Sequence, residues 1–337
     1  MRFATINLEH LYQSDSAREQ ERLELVCDLI RALRADVLAV QEVYAESPSR
    51  LGRNLVDLAN RVGMSVFSRT PMNDASPEDQ VERMLVGISP HDLHVALLYS
   101  DRVECQSGSF RSYDNDNLHH GLIKATFDVP GSDGSRHLVR HGSVHLTPFG
   151  PRGGRADEAA RVVSAFAKPL IRPAGLVGGD YNTVCADRTL DGDFYDLDPY
   201  ADRDWSDACV YQCRWEYDER GRRTRWWADR EPGDILYAGG LLDATVALNN
   251  STVAAGGLRW KATTGHRSET VAFGPRRICG VRVTEELVPA LHSVEIADTA
   301  YFVAQGRQDI RPEMASDHFA EVVTYDPALI AVRSTPR

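Results

Sequence analysis

The sequence predicts an α+β fold, a four-layer α/β/β/α sandwich in which two packed mixed sheets are flanked by helices. Short apolar runs with the length of strands alternate first with helical patterns and later with each other. The chain has 337 residues, 42% of them hydrophobic, and contains no long apolar run. This length allows one large core, so we expect a single domain over residues 1–330 and a short C-terminal tail over residues 331–337.

The first element is a short strand, Arg2–Leu8, and a helix follows it. Ser16 and Glu19 have the spacing of a capping box, which predicts that the helix begins there. The apolar residues that follow share one helical face; they are Leu23, Val26, Cys27, Ile30 and Leu33. The pattern is typical of an amphipathic helix packed against a sheet.

A second helix is predicted over Gly154–Ala167. Arg155 lies in its first turn, where a cation is mildly unfavourable for the helix dipole. We therefore interpret Arg155 as a candidate substrate-binding residue that contacts phosphate. A solvated loop arginine is the alternative.

Polar side chains stand at the ends of five apolar runs that are predicted to be strands. The groups are, in chain order, Asn7, Glu42, His145, Asp180 with Asn182, and Asp317 with His318, at the ends of Arg2–Leu8, Asp36–Val40, Val139–Leu146, Ala174–Val177 and Phe319–Val323. Taken singly, several of these groups are better explained as a turn, cap or core residue. Their common placement at strand ends predicts that they meet in one cleft.

The residue types in this set suit a hard divalent cation. Mg²⁺ takes oxygen ligands and is usually held by one or two carboxylates together with a substrate phosphate. Glu42 is the first candidate ligand, Asn7 offers a side-chain carbonyl oxygen, and Asp317 adds a second carboxylate. We therefore expect Mg²⁺ or Mn²⁺ as the cofactor.

The remaining groups suit the attack of water on a phosphate. Asp180 is the candidate that orients and deprotonates the water, with Asn182 as a neutral donor to the phosphate oxygens. His145 and His318 are the candidates that donate to the charge that builds on the phosphate. The set predicts a metal-dependent phosphoester hydrolase.

Over nearly its whole length, the chain resembles the endonuclease/exonuclease/phosphatase superfamily, which includes deoxyribonuclease I. The matching segments follow the family's order; they are Asn7, Gln41-Glu42, Ser143–Leu146, Gly178–Asn182 and Ser316–His318. The resemblance implies that Asn7 and Glu42 bind metal, that Asp317 supports the metal, and that His318 contacts the scissile phosphate. It also implies that Asp180 and Asn182 position the water and the phosphate, and that His145 is similar to the histidine of the deoxyribonuclease branch.

Cys279 departs from the family pattern. It stands where the family carries an aspartate, whose carboxylate hydrogen-bonds the final histidine and fixes its tautomer. We expect His318 to be less firmly oriented as a result. Cys279 is either an inert buried side chain or a thiolate that acts as nucleophile or redox-sensitive ligand. Three nearby carboxylates are alternative partners for the histidine: Asp298, Asp309 and Glu269.

The charge of the chain bears on its substrate. A net charge of −11 argues against tight nonspecific binding to nucleic acid, since lysine and arginine supply most of that affinity. The acidic segment Asp187–Asp207 would also repel a polyanion if it faced the cleft. The arginine-rich segment Arg214–Arg230 is interpreted as a hairpin around Asp218–Gly221, with a basic rim of the cleft as the alternative. A phosphorylated small molecule is therefore favoured over nucleic acid as the substrate.

The segment Gln106–His120 is long enough to influence specificity. It contains Tyr113 and His120, in a position where members of the resembled family place substrate-contacting residues. We treat both as candidate substrate-binding residues, His120 being the weaker because adjacent histidines usually point in different directions.

Several further classes are disfavoured. Of the six cysteines, only Cys209 and Cys213 are closely spaced, and they lack a second pair, so a zinc site is not expected. No run is long enough for a transmembrane span, and the first strand leaves no room for a signal peptide, so we expect a cytoplasmic protein without a membrane or an obligate protein partner. The alternatives to hydrolysis are a repurposed enzyme with a different reaction in the same cleft, and a binding protein that has lost turnover. Cys279 motivates both alternatives.

Overall fold

The computed structural model describes residues 1–70, 72, 76–113, 118–149, 154–166, 173–201, 204, 210–252, 260–267 and 274–331. Cys209, Glu269, parts of the segments Gln106–His120 and Asp187–Asp207, and all but the first residue of the predicted tail lie outside these ranges.

The strands occupy the following ranges: β1 (Arg2–Leu11), β2 (Val37–Tyr44), β3 (Val86–Gly87), β4 (Leu93–Tyr99), β5 (Glu104–Cys105), β6 (Arg111–Ser112), β7 (Leu122–Pro130), β8 (Arg136–His145), β9 (Gly175–Asp180), β10 (Cys213–Tyr217), β11 (Arg223–Ala228), β12 (Leu241–Asp243), β13 (Cys279–Thr284), β14 (Leu291–Ile296) and β15 (Glu321–Tyr325). The helices are α1 (Ala17–Leu33), α2 (Pro48–Val62), α3 (Gly154–Phe166), α4 (Glu231–Ala238), α5 (Ala244–Thr252), α6 (Thr299–Ala304) and α7 (Pro312–Ala315). Among these residues, no helix has both the length and the apolar character needed to cross a membrane.

Both large sheets are mixed. The first has the strand order β14-β15-β1-β2-β4-β3, and the second has the order β12-β13-β9-β8-β7-β5, with β6 also paired to β7. In the first sheet β1 runs parallel to β2, and in the second β8 runs parallel to β9, while the neighbouring pairs are antiparallel. Because the strands of each parallel pair run in the same direction, their C-terminal ends lie side by side at one edge of the sheet. These ends of β1 and β2, and of β8 and β9, carry predicted site residues.

The sheets pack face to face with helices outside them. Phe3 and Leu97 of the first sheet share a buried apolar cluster with Phe127, Leu176 and Val281 of the second. Helices α1 and α2 cover the outer face of the first sheet, and α3 and α4 cover the outer face of the second. This arrangement confirms the predicted four-layer α/β/β/α fold. Full burial of each large apolar side chain between the layers contributes about 1.5–3 kcal/mol to the stability of the folded state.

A polar contact joins the two sheets directly below the predicted site. Gln41 on β2 donates from Nε2 to Oγ of Ser143 on β8 at 3.0 Å, and to Oγ1 of Thr5 on β1 at 3.2 Å. Gly178 on β9 lies opposite Thr5, and a Cβ atom at Gly178 would come within 2.5 Å of the Cβ of Thr5. The absence of a side chain at Gly178 therefore lets β9 approach β1, which brings Asp180 close to Asn7.

The first helix begins where the capping box predicts. The Ser16 side chain accepts a hydrogen bond from the Glu19 N–H, as an N-cap residue does. The Glu19 carboxylate completes a different contact, because it accepts from the backbone N–H of Tyr12 at 3.1 Å. Glu19 thereby ties the end of β1 to the start of α1.

The arginine-rich segment forms the predicted hairpin. Strands β10 and β11 pair antiparallel with Trp215 opposite Trp226, and the turn contains Gly221 in a left-handed conformation (φ 71°). The guanidinium of Arg225 lies 5.2 Å from the centre of the Trp227 ring. Beneath the hairpin is a small apolar cluster that includes Cys213, Ile278 and Cys279.

Candidate functional site

An irregularity in two strand pairs presents Glu42 to the cleft. The register of β1 against β2 shifts between Asn7 and Leu11, and the register of β2 against β4 shifts between Val40 and Val43. Glu42 lies inside both irregularities and has a left-handed backbone (φ 62°), which is uncommon for a residue other than glycine. Such bulges and strained residues occur often beside functional sites, where they redirect a side chain.

Asn7 connects two carboxylates. Its Nδ2 donates to Oε1 of Glu42 at 2.7 Å and to Oδ2 of Asp180 at 3.0 Å. Its Oδ1 accepts from the backbone N–H of Glu9 at 2.9 Å. The fold therefore brings Asn7, Glu42 and Asp180 together from three different strands, two in one sheet and one in the other.

His10 is a contact of Glu42 that the sequence analysis missed. Its Nε2 lies 3.0 Å from Oε2 of Glu42, and its backbone N–H donates to the same oxygen at 3.1 Å. The hydrogen bond to Glu42 raises the pKa of His10 above its ordinary value. Burial raises the pKa of Glu42, but the hydrogen bond from His10 and the charge of His145 outweigh it, so the pKa of Glu42 is lowered overall. The signal in the sequence was the polar pair Glu9-His10, which lies next to the last residue of the first strand.

His145 and Asn182 lie on the side of the site formed by the second sheet. Nε2 of His145 is 3.8 Å from Oε1 of Glu42 and 3.9 Å from Oδ2 of Asp180. Nδ2 of Asn182 is 3.2 Å from the same nitrogen and also donates to the backbone carbonyl of Leu146 at 2.9 Å. Asn182 has a left-handed backbone (φ 49°), and its N–H donates to Oδ1 of Asp180 at 2.9 Å. The turn after β9 thus holds Asn182 and Asp180 in a fixed relation.

His318 approaches Asp180 from the opposite side. Its Nε2 lies 3.8 Å from Oδ2 of Asp180 and 3.7 Å from Oδ1 of Asp317. Its Nδ1 lies 2.8 Å from Sγ of Cys279. Ser316 fixes the segment, because its Oγ donates to the backbone carbonyl of Asn7 at 2.7 Å and accepts from the His318 N–H at 3.0 Å.

Cys279 occupies the position of the expected carboxylate. It is opposite Asp180 in the antiparallel pair of β13 and β9, and it is buried. Burial raises the pKa of its thiol well above the ordinary value, and the nearby charges of Asp180 and Asp317 act in the same direction. The side chain is therefore a neutral thiol, which favours the inert interpretation over the reactive thiolate.

Two of the alternative carboxylates have other partners. Asp298 caps α6 by accepting from the Tyr301 N–H, and it accepts from Nζ of Lys261 at 2.8 Å. Asp309 accepts from Arg307. The thiol of Cys279 is thus the group beside Nδ1 of His318 in the part of the chain that the structure describes.

Comparison with known proteins identifies the family. A model described as the Endonuclease/Exonuclease/phosphatase family matches residues 4–243. The chain belongs to this family. Members of the endonuclease/exonuclease/phosphatase family are in general hydrolases that act on phosphoesters. No curated protein matches the chain.

Solved structures of this family share the fold. An endonuclease/exonuclease/phosphatase family protein from Bacteroides thetaiotaomicron is 14% identical with a TM-score of 0.56, and 96% of each chain is covered. An AP endonuclease from Archaeoglobus fulgidus is 15% identical with a TM-score of 0.55, covering 97% of this chain and 99% of the other. A mannosyl-6-phosphatase from Bacteroides thetaiotaomicron is 13% identical with a TM-score of 0.53, covering 96% and 98%. Identities this low establish the common fold alone.

The donor set of this endonuclease/exonuclease/phosphatase site fits a hard cation. The ligand atoms of Glu42, His145 and Asp180 all lie within 4.8 Å of one another. The carboxylates of Glu42 and Asp180 provide the oxygen ligands that Mg²⁺ and Mn²⁺ prefer, while the Asn7 amide turns Nδ2 toward them. A second group, Asp180 with Cys279 and His318, lies equally close but contains a thiol, which suits softer metals.

Arg155 is buried and donates to backbone carbonyls. Its Nη1 donates to the carbonyl of Asn182 at 2.6 Å and its Nε to that of Thr147 at 3.0 Å, while Nη2 donates to the carbonyls of Pro148 and Tyr211. Through these contacts Arg155 positions the turn at Asn182, whereas the sequence suggested that it contacts phosphate. The sequence around an arginine at a predicted helix start does not indicate which backbone carbonyls will lie near it in the folded protein.

The two other candidate substrate-binding residues lie outside the carboxylate cluster. His120 is buried, and its ring stacks on that of His145 with centroids 4.1 Å apart, so it adjoins the site through His145. Tyr113 belongs to the apolar cluster under α3, where Nζ of Lys124 lies 5.2 Å from the centre of its ring. Tyr113 therefore packs on the outer face of the second sheet.

Proposed function

We propose that this member of the family is a divalent-metal-dependent phosphoester hydrolase that works by metal-assisted attack of water on phosphate. The observation that carries the proposal is the convergence of Glu42 and Asp180 on the side-chain amide of Asn7. Two imidazoles, those of His145 and His318, lie within 4 Å of the same Asp180 oxygen. Buried carboxylates gathered in this way favour a cation and a phosphate as ligands.

Glu42 is the residue that would hold Mg²⁺ or Mn²⁺, with Asp317 in support. Asn7 would join them through Oδ1, which in the structure accepts from the Glu9 N–H. The hydrogen bonds of His10 keep the Glu42 carboxylate oriented toward the cleft. When bound, the cation would neutralise the charge of the phosphate and make the attacking water more acidic.

Asp180 is the proposed general base. One of its oxygens is held by the Asn182 N–H at 2.9 Å, so the other faces the groups around Asn7. A carboxylate held on both sides can orient a water and take up its proton as the water attacks phosphorus. Asn182 offers Nδ2 as a neutral donor to a phosphate oxygen.

His145 and His318 are the proposed donors to the charge that develops on the phosphate. Each presents Nε2 toward Asp180 from its own side of the cleft. The hydrogen bonds that these Nε2–H groups donate to the phosphate would become stronger as negative charge grows on it, which would lower the activation barrier. The Cys279 thiol at Nδ1 holds the ring of His318 in this orientation.

The proposed substrate is a phosphorylated small molecule in preference to a nucleic acid polymer, because the chain carries a net charge of −11. The described cysteines are free thiols, which suits a reducing compartment, and we propose a cytoplasmic enzyme without an obligate protein partner.

Hydrolysis of three ester types tests the proposal. Purified protein is incubated with bis-p-nitrophenyl phosphate, p-nitrophenyl phosphate or plasmid DNA, with Mg²⁺ or Mn²⁺ or with a chelator. We expect metal-dependent turnover that Asp180→Ala abolishes and that Asp191→Ala, an exposed aspartate of the following loop, leaves intact. Absence of turnover on all three substrates with both metals would refute the proposal for general phosphoesters.

A further inference from the structure

A contiguous series of aromatic rings runs from the candidate site to the surface. We call it the ring cluster; its members are His145, His120, His119, His91, Phe149 and Tyr211. The inner part is tightly stacked, because the His145 and His120 rings lie 4.1 Å apart with 15° between their planes. His119 meets His120 edge to face at 4.3 Å. The innermost ring of the series is thus a proposed catalytic residue.

The outer part of the ring cluster reaches solvent. Phe149 meets His119 edge to face at 5.3 Å, and Tyr211 meets Phe149 at 5.6 Å. The side chains of Phe149 and Tyr211 are 55% and 43% exposed. The imidazole of His91 also contacts that of His119, with ring centroids 3.9 Å apart.

The exposed rings lie beside Asn182. Gln212, the neighbour of Tyr211, donates from Nε2 to Oδ1 of Asn182 at 3.5 Å. The buried guanidinium of Arg155 bonds to the backbone carbonyls of both Asn182 and Tyr211. Because one buried side chain holds both segments, the outer rings have a fixed position relative to the proposed phosphate donor.

Two histidines of the ring cluster, His119 and His120, have pKa values below the ordinary range of histidine. Burial, together with the neighbouring His145 and His119, lowers the pKa of His120 to about 2. Burial and the neighbouring His91 lower the pKa of His119 to about 4. These two imidazoles, together with Phe149 and Tyr211, therefore offer ring faces and edges without a positive charge.

Packing accounts for the inner rings but not for the outer ones. His120 is buried and fills the space behind His145, as a core side chain does. Phe149 and Tyr211 leave large aromatic surfaces in water next to a polar site, which costs free energy unless a ligand covers them.

We propose that Phe149 and Tyr211, supported by His119, form a subsite that stacks one planar ring of the substrate, a nucleobase linked through its sugar to the phosphate that reacts. The inference rests on the proposed function, since it places the phosphate at Asp180 and Asn182. Stacking on an aromatic side chain is tolerant of base identity, because every base has a π face. The substrate class is therefore a nucleotide ester whose base lies against Phe149.

The test compares two ligands that differ only by the base. The probes are the phosphonate analogues of adenosine 5′-phosphate and of ribose 5-phosphate, in which a CH₂ group replaces the ester oxygen so that neither can be hydrolysed. Their dissociation constants are measured by calorimetry with Mg²⁺ present. We expect wild-type protein to bind the adenosine analogue about tenfold more tightly than the ribose analogue.

Variants locate the effect. Phe149→Ala is expected to weaken the adenosine analogue about tenfold and to leave the ribose analogue unchanged, while Phe149→Tyr retains the preference. The control is Leu138→Ala, which removes a comparably exposed apolar side chain (50%) near the opposite end of β8 from His145. Equal affinities for the two analogues in wild-type protein, a loss of both in Phe149→Ala, or binding of neither analogue would overturn the subsite.

Failure of the subsite and failure of the proposed function have different signatures. If bis-p-nitrophenyl phosphate is hydrolysed but the analogues bind equally, the enzyme stands and the nucleobase subsite is wrong. If the adenosine preference depends on Phe149 but no ester is hydrolysed, the subsite stands and the hydrolase assignment is wrong.

Discussion

The Sγ atom of Cys279 lies 2.8 Å from Nδ1 of His318, and both side chains are buried. A neutral thiol therefore holds the histidine where a carboxylate was expected. The contact orients the ring but supplies no negative charge to stabilise an imidazolium. The chain brings Asn7, Glu42, Asp180 and both imidazoles together, with a weaker partner for one of the imidazoles.

Substitutions at Cys279 distinguish an orienting thiol from a space-filling one. We expect Cys279→Ala to lower kcat by up to about tenfold with little change in KM, since a hydrogen bond of this kind is worth about 1 kcal/mol. Cys279→Ser, which keeps a hydrogen-bonding group, should retain more of the rate. Steady-state kinetics on bis-p-nitrophenyl phosphate provide the measurement. Equal kcat in the alanine and wild-type proteins would show that the thiol only fills space.

Cys279→Asp restores the expected carboxylate. We expect a higher kcat, because a charged partner forms a stronger hydrogen bond and stabilises the charge that His318 gains in the transition state. We also expect a lower Tm, because the new carboxylate is buried near Asp180 and Asp317, two groups that already raise the pKa of the thiol. A variant that is stable and slower than wild type would contradict both expectations.

Glu42→Gln tests the proposed metal ligand. Loss of the carboxylate should remove most of the affinity for Mn²⁺ and lower kcat about 100-fold or more. Mn²⁺ that binds the folded state preferentially should raise the Tm of the wild-type protein. This rise in Tm measures metal binding without relying on turnover. Glu46→Gln is the matched control, since Glu46 is an exposed glutamate four residues away that pairs with Arg50. A Mn²⁺-dependent rise in Tm that survives in Glu42→Gln would place the metal elsewhere.

Arg155→Lys separates positioning from phosphate binding. The guanidinium donates to four backbone carbonyls, and lysine cannot reproduce that geometry, so we expect a loss of stability of about 3 kcal/mol. We expect kcat to fall, because the Asn182 turn is released, and KM to change little. Arg161→Ala on the same helix is the control. A rise in KM at unchanged Tm would instead support the phosphate contact that the sequence suggested.

The free energy of unfolding should depend on pH through the buried carboxyl group of Glu321. Burial raises the pKa of this carboxyl to about 8, and the nearby charge of Asp243 acts in the same direction, while Arg277 opposes it. Because the folded state keeps a proton that the unfolded chain releases, the stabilising contribution is complete below pH about 4.5 and is lost as the pH rises through about 8.

Glu321→Gln removes this dependence, because glutamine is neutral at every pH. We expect the Tm of the variant to rise relative to that of wild type as the pH increases from 5 to 9. At the alkaline end the difference in the free energy of unfolding should be on the order of a few kcal/mol. Thermal unfolding across this range provides the measurement, with the exposed Glu295→Gln on β14 as control. A constant difference in Tm at all pH values would show that Glu321 is ionised throughout.

The repeating patterns of the sequence determined the fold and the location of the site. Apolar runs of strand length predicted β1, β2, β8 and β9, because an alternating or fully apolar segment has few other ways to bury its side chains. The capping box predicted the start of α1, since Ser16 needs only residues within one turn. The order of polar residues at strand ends likewise pointed to one cleft, in which Asn7, Glu42 and Asp180 do meet.

Contacts between residues far apart in the chain were decided by the tertiary structure alone. The bulge that brings His10 to Glu42 depends on how β1 pairs with β2, and the role of Arg155 depends on carbonyls that arrive from residues 147, 148, 182 and 211. The stacking of His120 on His145 and the thiol beside His318 are of the same kind. Local periodicity specifies which face of an element is buried, whereas the partner of a buried polar group is set by the packing of whole sheets.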